Sequence, residues 1–299
     1  MSALYTPAEV SAIPLFQSPA ARRMQMPQEA EDHARLIAGT VAAVWTAGHG
    51  GAGLDVVLGT VAAVAFLPLL DPDAGASAAA VASLEPSDLC QLLDSVWQRL
   101  YWELPAHVEL MRPLRRWLDA PEDWQAGGAL LAVQTCIRTG LLEFAGDSDR
   151  ALSSDLLGRL MQQLRGRADK GSTGAFHMPR GAAVLMAEIL QVDTADLIVM
   201  EPAAGSGALW RAAAADLRRR GQSPGEKTWL GVEVDPLSAA VLVANAVLWR
   251  LGPNVVVARA DAIRQPDSGV GAALEQRARA YARRDALFAA VNAAAVPGT

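Results

Sequence analysis

Cysteine is scarce in this chain of 299 residues, where Cys90 and Cys136 are the only two. They form no C-x-x-C pair of the kind that binds metals, and two cysteines give no disulfide framework. The first five residues also lack a basic stretch followed by an apolar one, which is the pattern of a secretory signal peptide. These absences predict a cytoplasmic protein without a metal site.

Long uninterrupted apolar runs are also missing. The longest apolar stretch, residues 54–70, contains Asp55, Gly59 and Pro68 and is slightly short for a membrane-spanning helix. We therefore predict a buried helix there and no contact with a membrane.

Positive charge is low overall, and lysine is absent from the first half. The net charge is −6, which argues against a chain that coats nucleic acid. Residues 1–150 contain no lysine, and their 9 arginines against 18 acidic residues give −9. Residues 151–299 have 17 basic and 14 acidic residues, which gives +3. This distribution is compatible with DNA contact by the second half, but we favour ordinary solvated helix ends as its explanation.

The first half shows apolar residues at helical spacing and no strand alternation before Phe144. Residues 1–28 contain four prolines without sustained periodicity, so they are predicted to form a loose arm. We predict an all-helical domain over residues 29–170 and an α/β domain over residues 171–299. The helices expected in the first of them cover residues 29–45, 55–69, 87–103 and 124–144, and a further helix, capped by residues 153–155, runs to about residue 167.

The second half is organised around residues 197–236. A short apolar run at 197–200 is followed by a turn with Gly205 and Gly207 and then by a helical pattern. That order predicts a buried strand, a tight turn and a helix whose first N–H groups point towards the turn. Further strands are predicted at residues 229–234 and 255–258, with the strands in the order three-two-one. Glu233 would then lie at the tip of the second strand, where a carboxylate can accept hydrogen bonds from ribose hydroxyls.

Four elements of this half, in this order, resemble those of the adenine-N6 DNA methyltransferases, and in particular the modification subunits of type I restriction-modification systems. That family has a G-x-F/Y-x-T-P element, a D/N-P-x-x-G-S-G loop, a G-x-E-x-D/N strand end and an A-D element. Their counterparts here are residues 174–179, 201–207, 231–235 and 260–261. The resemblance covers roughly residues 150–265.

The resemblance implies that the chain binds S-adenosyl-L-methionine (SAM) and acts on adenine in DNA. It implies that Gly205 and Gly207 lie against the cofactor, that Glu233 holds the ribose and that Asp261 holds the adenine amino group. The full set of cofactor-binding residues expected from the matching elements is Phe176, Met178, Pro179, Glu201, Pro202, Ala203, Gly205, Gly207, Glu233 and Asp261.

The chain departs from the family pattern at three points. Met178 replaces the threonine before proline, and Glu201 replaces the shorter Asp or Asn that opens the glycine loop. The D/N-P-P-Y/F element, which grips the flipped adenine in the family, is absent, and no Pro-Pro pair occurs anywhere in the sequence. A transferase without that element lacks the part that orients the attacking nitrogen.

Two structures are possible for residues 286–291. They form a strand ending at Asn292, which would then be a weak candidate for the catalytic asparagine, or they continue a helix to the end of the chain. In the second case the strand at 197–200 is an edge strand with unpaired backbone groups.

The sequence therefore predicts a partial, Rossmann-like, SAM-dependent methyltransferase domain preceded by an all-helical domain. The leading hypothesis is a DNA adenine-N6 methyltransferase whose base-binding half comes from a second protein chain. The alternative is a non-catalytic, methyltransferase-like subunit that senses SAM or docks a partner. A different nucleotide-dependent enzyme is a third hypothesis, but it leaves residues 176–179 unexplained.

Overall fold

The structure, a computed structural model, describes residues 24–71, 78–168, 178–190, 198–264 and 268–295. Within these residues the first half is entirely helical, as predicted. The helices are α1 (Ala30–His49), α2 (Leu54–Leu70), α3 (Ala78–Ala82), α4 (Pro86–Glu103), α5 (Pro105–Leu110), α6 (Arg112–Arg115), α7 (Asp123–Arg138), α8 (Leu141–Gly146), α9 (Ser148–Leu152) and α10 (Leu156–Ala168). A 3₁₀ turn, Arg116–Asp119, follows α6.

Helix α2 is the centre of the helical half, and its predicted burial is confirmed. Every residue from Val56 to Phe66 is buried, and α4, α6, α7 and α8 pack around it. Gly59 permits the closest of these contacts, because a Cβ built there would lie 1.7 Å from the backbone oxygen of Leu114 in α6. Within the described residues, no helix has the length and apolar character needed to cross a bilayer.

The single helix predicted at 124–144 is wrong, because the chain forms two helices, α7 and α8, with a break at Gly140. Gly140 has φ +78°, a left-handed conformation that glycine adopts without steric cost. Thr139 ends α7 with its hydroxyl bonded back to the carbonyl of Thr135. A glycine inside a helical pattern is tolerated often enough that the sequence alone favours continuity.

The described part of the second half contains three parallel strands and the helices between them. In chain order these are α11 (Arg180–Leu190), β1 (Ile198–Glu201), α12 (Ala208–Arg219), β2 (Thr228–Val232), α13 (Pro236–Leu248), β3 (Val255–Ala258) and α14 (Ser268–Ala295). A 3₁₀ turn, Pro224–Glu226, precedes β2. The strand order β1-β2-β3 confirms the prediction, with Val199 opposite Trp229 and Trp229 opposite Val255.

The two faces of this sheet are covered unequally. Val199, Trp229 and Val255 lie on one face and join the main core, together with residues of α12 and α13. On the other face, α14 covers β3, where Ala273 clusters with residues of β2 and β3. The side chains of β1 on that face remain exposed, Ile198 to 61% and Met200 to 55%.

The strand proposed at residues 286–291 is wrong, and the helical alternative is confirmed, because α14 extends to Ala295. Alanine and leucine are strong helix formers, and Val291 is the one β-branched residue of the segment 286–291. Asn292 is therefore an exposed residue of α14 and does not end a strand beside β1. Among the described strands β1 pairs only with β2, so its outer edge is open.

One continuous core joins the two halves of the chain. It runs from Ala34 in α1 to Val257 in β3 and includes nearly every residue of α13. Helix α13 packs against α10, α2, α5 and α6 of the helical half as well as against β3. This core contains residues from both sides of residue 170 and does not separate two domains there. The division into domains at residue 170 therefore stays a prediction.

Candidate functional site

The turn from β1 to α12, residues 202–207, is called the glycine turn below. Gly205 (φ +53°) and Gly207 (φ +98°) both adopt the left-handed conformation, and the turn is closed by a hydrogen bond from Gly207 N to Ala204 O at 2.8 Å. The turn is also tied to the neighbouring strand, since Ala204 N donates to Val232 O at 3.0 Å. This places the turn at the carboxyl ends of β1 and β2.

The two glycines are needed for different reasons. A Cβ built on Gly205 meets no heavy atom within 4 Å, so this residue faces open space. A Cβ on Gly207 would lie 2.7 Å from Leu242 Cδ1 and 2.9 Å from the Trp249 ring, so Gly207 is required for packing against α13. Of the two glycines that the sequence places against a ligand, only Gly205 presents its backbone to open space.

Glu233 follows β2 directly and its carboxylate holds the glycine turn. Its Oε2 accepts a hydrogen bond from Gly205 N at 2.9 Å, and its Oε1 accepts one from Asp235 N at 2.8 Å. A carboxylate can accept about four hydrogen bonds. The half-buried Glu233 therefore keeps acceptor capacity on both oxygens for a pair of hydroxyl groups.

Glu201 ends β1 and carries a buried carboxyl group. It is only 9% exposed, and its Oε2 has no hydrogen-bond partner among the described residues. Burial, and then the negative charge of Glu233, raise the pKa of Glu201 to about 8. At neutral pH the group is therefore protonated, and it can donate a hydrogen bond to a ligand at the turn.

The buried Glu201 should make the protein less stable as the pH rises. The pKa of a glutamate in the unfolded chain is near its ordinary value of 4.5, so between pH 4.5 and 8 the folded state retains a proton that the unfolded state has released. Stability from this group is highest below pH 4.5 and is lost as the pH rises towards 8. The loss by pH 8 is on the order of 4 kcal/mol, given 1.36 kcal/mol for each pKa unit between 4.5 and about 8.

Glu201→Gln should remove this dependence, because glutamine has the same shape and no charge. The test is thermal unfolding of the wild type and the variant from pH 5 to 8.5. As the pH rises, the wild type should lose stability relative to Glu201→Gln. Parallel curves for the two proteins would contradict the raised pKa of Glu201.

The other residues predicted for the site are distributed around the turn. Pro202 and Ala203 are exposed within it. Asp261 follows β3, and its Oδ1 accepts the backbone N–H groups of Ile263 and Arg264 at 3.0 and 3.2 Å. Asp261 thus already stabilises its own turn.

Met178 packs against a small apolar cluster of α11 and α12 (Ala183, Ala187 and Ala212), as do Ala208 and Leu209 at the start of α12. The carbonyl of the exposed Pro179 accepts a hydrogen bond from Ala183 N at the start of α11. Phe176 lies outside the described residues.

A polar cluster lies behind the turn, and the sequence does not predict it as part of the site. Asp155 accepts hydrogen bonds from Ser206 Oγ at 2.6 Å, from Asn245 Nδ2 at 2.7 Å and from Gly158 N at 2.8 Å. Asn245, which is fully buried, also donates to Ser206 O at 2.9 Å. The sequence identifies the stretch before α10 only as a helix cap.

Further polar contacts join the helical half to the α/β half near this cluster. The buried Arg211 of α12 donates to Ser153 O at 3.2 Å, and Trp249 Nε1 donates to Ser154 O at 3.3 Å. Arg165 of α10 forms an ion pair with Asp235, the N-cap residue of α13. Although burial alone would raise it, the pKa of Asp235 is held below its ordinary value by hydrogen bonds from Ser238 and Arg165.

Residues 152–277, which contain the glycine turn, Glu233 and Asp155, match the N-6 DNA methylase family. This region is therefore similar to that family, and the match covers less than half of the chain. The matched region begins before α10, so it includes the last helix of the helical half as well as the three described strands. A comparison with curated proteins gave no match.

One solved structure similar to this chain is the crystal structure of the type I restriction-modification system methyltransferase subunit from Streptococcus thermophilus. The sequences are 15% identical, and the superposition has a TM-score of 0.46. It covers 79% of this chain and 59% of that chain, so this chain spans less than two thirds of the length of that subunit.

Proposed function

We propose that this chain binds SAM at the glycine turn and forms the cofactor-binding part of a DNA adenine-N6 methyltransferase. The observation that carries the proposal is the arrangement at the carboxyl ends of β1 and β2. There the backbone of Gly205 faces open space while its N–H group is held by Glu233. Ligands of open parallel sheets bind in this position, outside the carboxyl ends of the strands.

Each residue at the turn would hold a different part of the cofactor. The backbone at Gly205 lets the ligand approach closely, and the remaining acceptor positions of Glu233 suit the two ribose hydroxyls. Asp261, at the end of β3, is the proposed partner of the adenine amino group. The unpartnered oxygen of Glu201 is the proposed partner of a polar group at the methionine end.

The residues before α11 and in the exposed part of the turn complete the proposed site. Phe176, Met178, Pro179, Pro202 and Ala203 are its other proposed contacts. Bound SAM supplies a methyl group on a positively charged sulfur, and the accepting nitrogen is N6 of adenine in DNA.

The half of the site that would hold the base must come from elsewhere. The sequence contains no D/N-P-P-Y/F element, and the outer edge of β1 is open among the described strands. Parallel sheets are normally covered on both faces, yet Ile198 and Met200 are exposed. We therefore propose that a second polypeptide segment pairs with β1, covers these two side chains and brings the base-binding motif.

The same observations favour a second candidate function. Because the base-binding motif is missing, the chain could bind SAM and dock a partner without catalysing transfer. In that case the assembled complex would respond to SAM, and its DNA would remain unmethylated.

Calorimetric titration with SAM tests the cofactor site. The wild type should bind saturably, whereas Glu233→Ala should weaken binding by more than about tenfold, the effect of losing hydrogen bonds to a charged group. Glu226→Ala is the matched control, because Glu226 is a glutamate just before the opposite end of β2 and should leave affinity unchanged. No wild-type binding at millimolar SAM would overturn the cofactor proposal.

The same protein mixed with radiolabelled SAM and adenine-containing DNA tests the base-binding half. No methyl transfer is expected from this chain alone. Transfer by the isolated chain would contradict the need for a second segment.

A further inference from the structure

Asp155 has two separable roles in the structure. It precedes α10 and accepts the N–H group of Gly158, the third residue of the helix, as an N-cap residue does. It also accepts the hydroxyl of Ser206, which lies in the glycine turn 51 residues later. Capping of α10 needs only the bond from Gly158. The bond from Ser206 therefore needs a separate explanation.

Gly158 makes the approach between α10 and the turn sterically possible. A Cβ built there would lie 2.1 Å from Asp155 Oδ2 and 2.4 Å from Ser206 Oγ. Asp155 Oδ2 and Ser206 Oγ, which are hydrogen-bonded to each other, occupy the space that a side chain at position 158 would need. The close contact is therefore a feature of the packing between α10 and the turn.

Asn245 fixes the same serine from a second direction. From α13 its amide donates both to Asp155 Oδ1 and to the backbone carbonyl of Ser206. Ser206 is thus held at its hydroxyl and at its carbonyl, by residues of two different helices. Asn245 is fully buried, and hydrogen bonds in such surroundings are stronger than in water.

The turn needs this support because glycine has little conformational preference of its own. Gly205 and Gly207 flank Ser206, and glycine reaches positive and negative φ almost equally well. A turn that samples several conformations must be ordered when a ligand binds, which weakens the affinity.

We propose that Asp155 and Asn245 are positioning residues that hold Ser206, and with it the glycine turn, in the conformation that binds the cofactor. The affinity part of this inference rests on the function proposed above. In consequence, the helical half contributes to the cofactor site through Asp155.

Asp155→Ser separates the two roles of Asp155. Serine caps helices as well as aspartate does, but its side chain is too short to hold both Ser206 and Asn245. We expect the protein to stay folded and the melting temperature to fall by a few degrees, because the bonds from Ser206 and Asn245 are lost. We expect amide hydrogen exchange at residues 205–207 to accelerate on the order of tenfold, and SAM affinity to fall by a similar factor.

Ser206→Ala removes the other end of the same bond. It should change exchange and affinity as Asp155→Ser does, and the double variant should be little worse than either single one. Arg159→Gln is the control, because Arg159 lies on the same helix and pairs with Glu31 of α1, and no hydrogen bond joins its side chain to the glycine turn among the described residues. It should leave exchange at the turn unchanged.

The exchange measurement needs no ligand, so the two proposals can fail separately. If the wild type does not bind SAM, the proposed function fails, and the positioning role is still decided by exchange at residues 205–207. Unchanged exchange there in Asp155→Ser would overturn the positioning role. So would an acceleration spread evenly over the whole protein, since that would mean a purely structural role.

Discussion

A tryptophan at position 205 is expected to abolish SAM binding while leaving the protein folded. Nothing lies within 4 Å of a Cβ at this position, so a large side chain finds room, but only by filling the space proposed for the cofactor. The left-handed backbone of Gly205 adds a strain of about 1–2 kcal/mol for any other residue. A protein of this size tolerates that loss.

Gly221→Trp is the matched control for this strain. Gly221 follows α12, has φ +75° and also has nothing within 4 Å of its Cβ position, but it lies beyond the far end of that helix from the turn. Both variants should lose similar stability in thermal unfolding, and only Gly205→Trp should lose calorimetric SAM binding. Retained affinity in Gly205→Trp would place the cofactor elsewhere.

The largest effect on stability is expected at Gly59. Gly59→Ala puts a methyl group 1.7 Å from the backbone oxygen of Leu114, and a backbone atom cannot move aside as a flexible side chain can. Helices α2 and α6 would have to separate at the centre of the core, which should cost about 3 kcal/mol or more.

Gly127→Ala should act in the opposite direction. Gly127 lies inside α7 with nothing within 4 Å of its Cβ position, so alanine should stabilise the helix by about 0.5–1 kcal/mol. Urea denaturation of the two variants measures the contrast. A loss below about 1 kcal/mol in Gly59→Ala would show that α2 and α6 can move apart easily.

Local patterns in the sequence are sufficient for much of the α/β half. The strands at 198–201 and 255–258, the turn between β1 and α12 and the position of Glu233 after β2 depend on apolar runs, glycines and spacing that are visible within about thirty residues. Local patterns are not sufficient at residues 286–291. A short apolar run can form a strand or a helix, and here the high helix propensity of alanine favours the helix α14.

The role of each residue in the site depends on distant partners, which no local pattern contains. Gly205 and Gly207 look alike in the sequence and differ only because Leu242 and Trp249 pack against the second of them. Asp155 looks like an ordinary helix cap until the fold brings Ser206 beside it. The raised pKa of Glu201 likewise depends on burial and on Glu233.

The core that joins α13 to the preceding helices limits how the two halves of the chain can recombine during evolution. A segment starting at residue 171 would carry the glycine turn but would leave Val241 and Leu242, which are completely buried, without the helices that cover them. Exchanging the helical half for that of another protein would remove Asp155 as well as this cover. The two parts are therefore expected to be inherited and recombined as one piece.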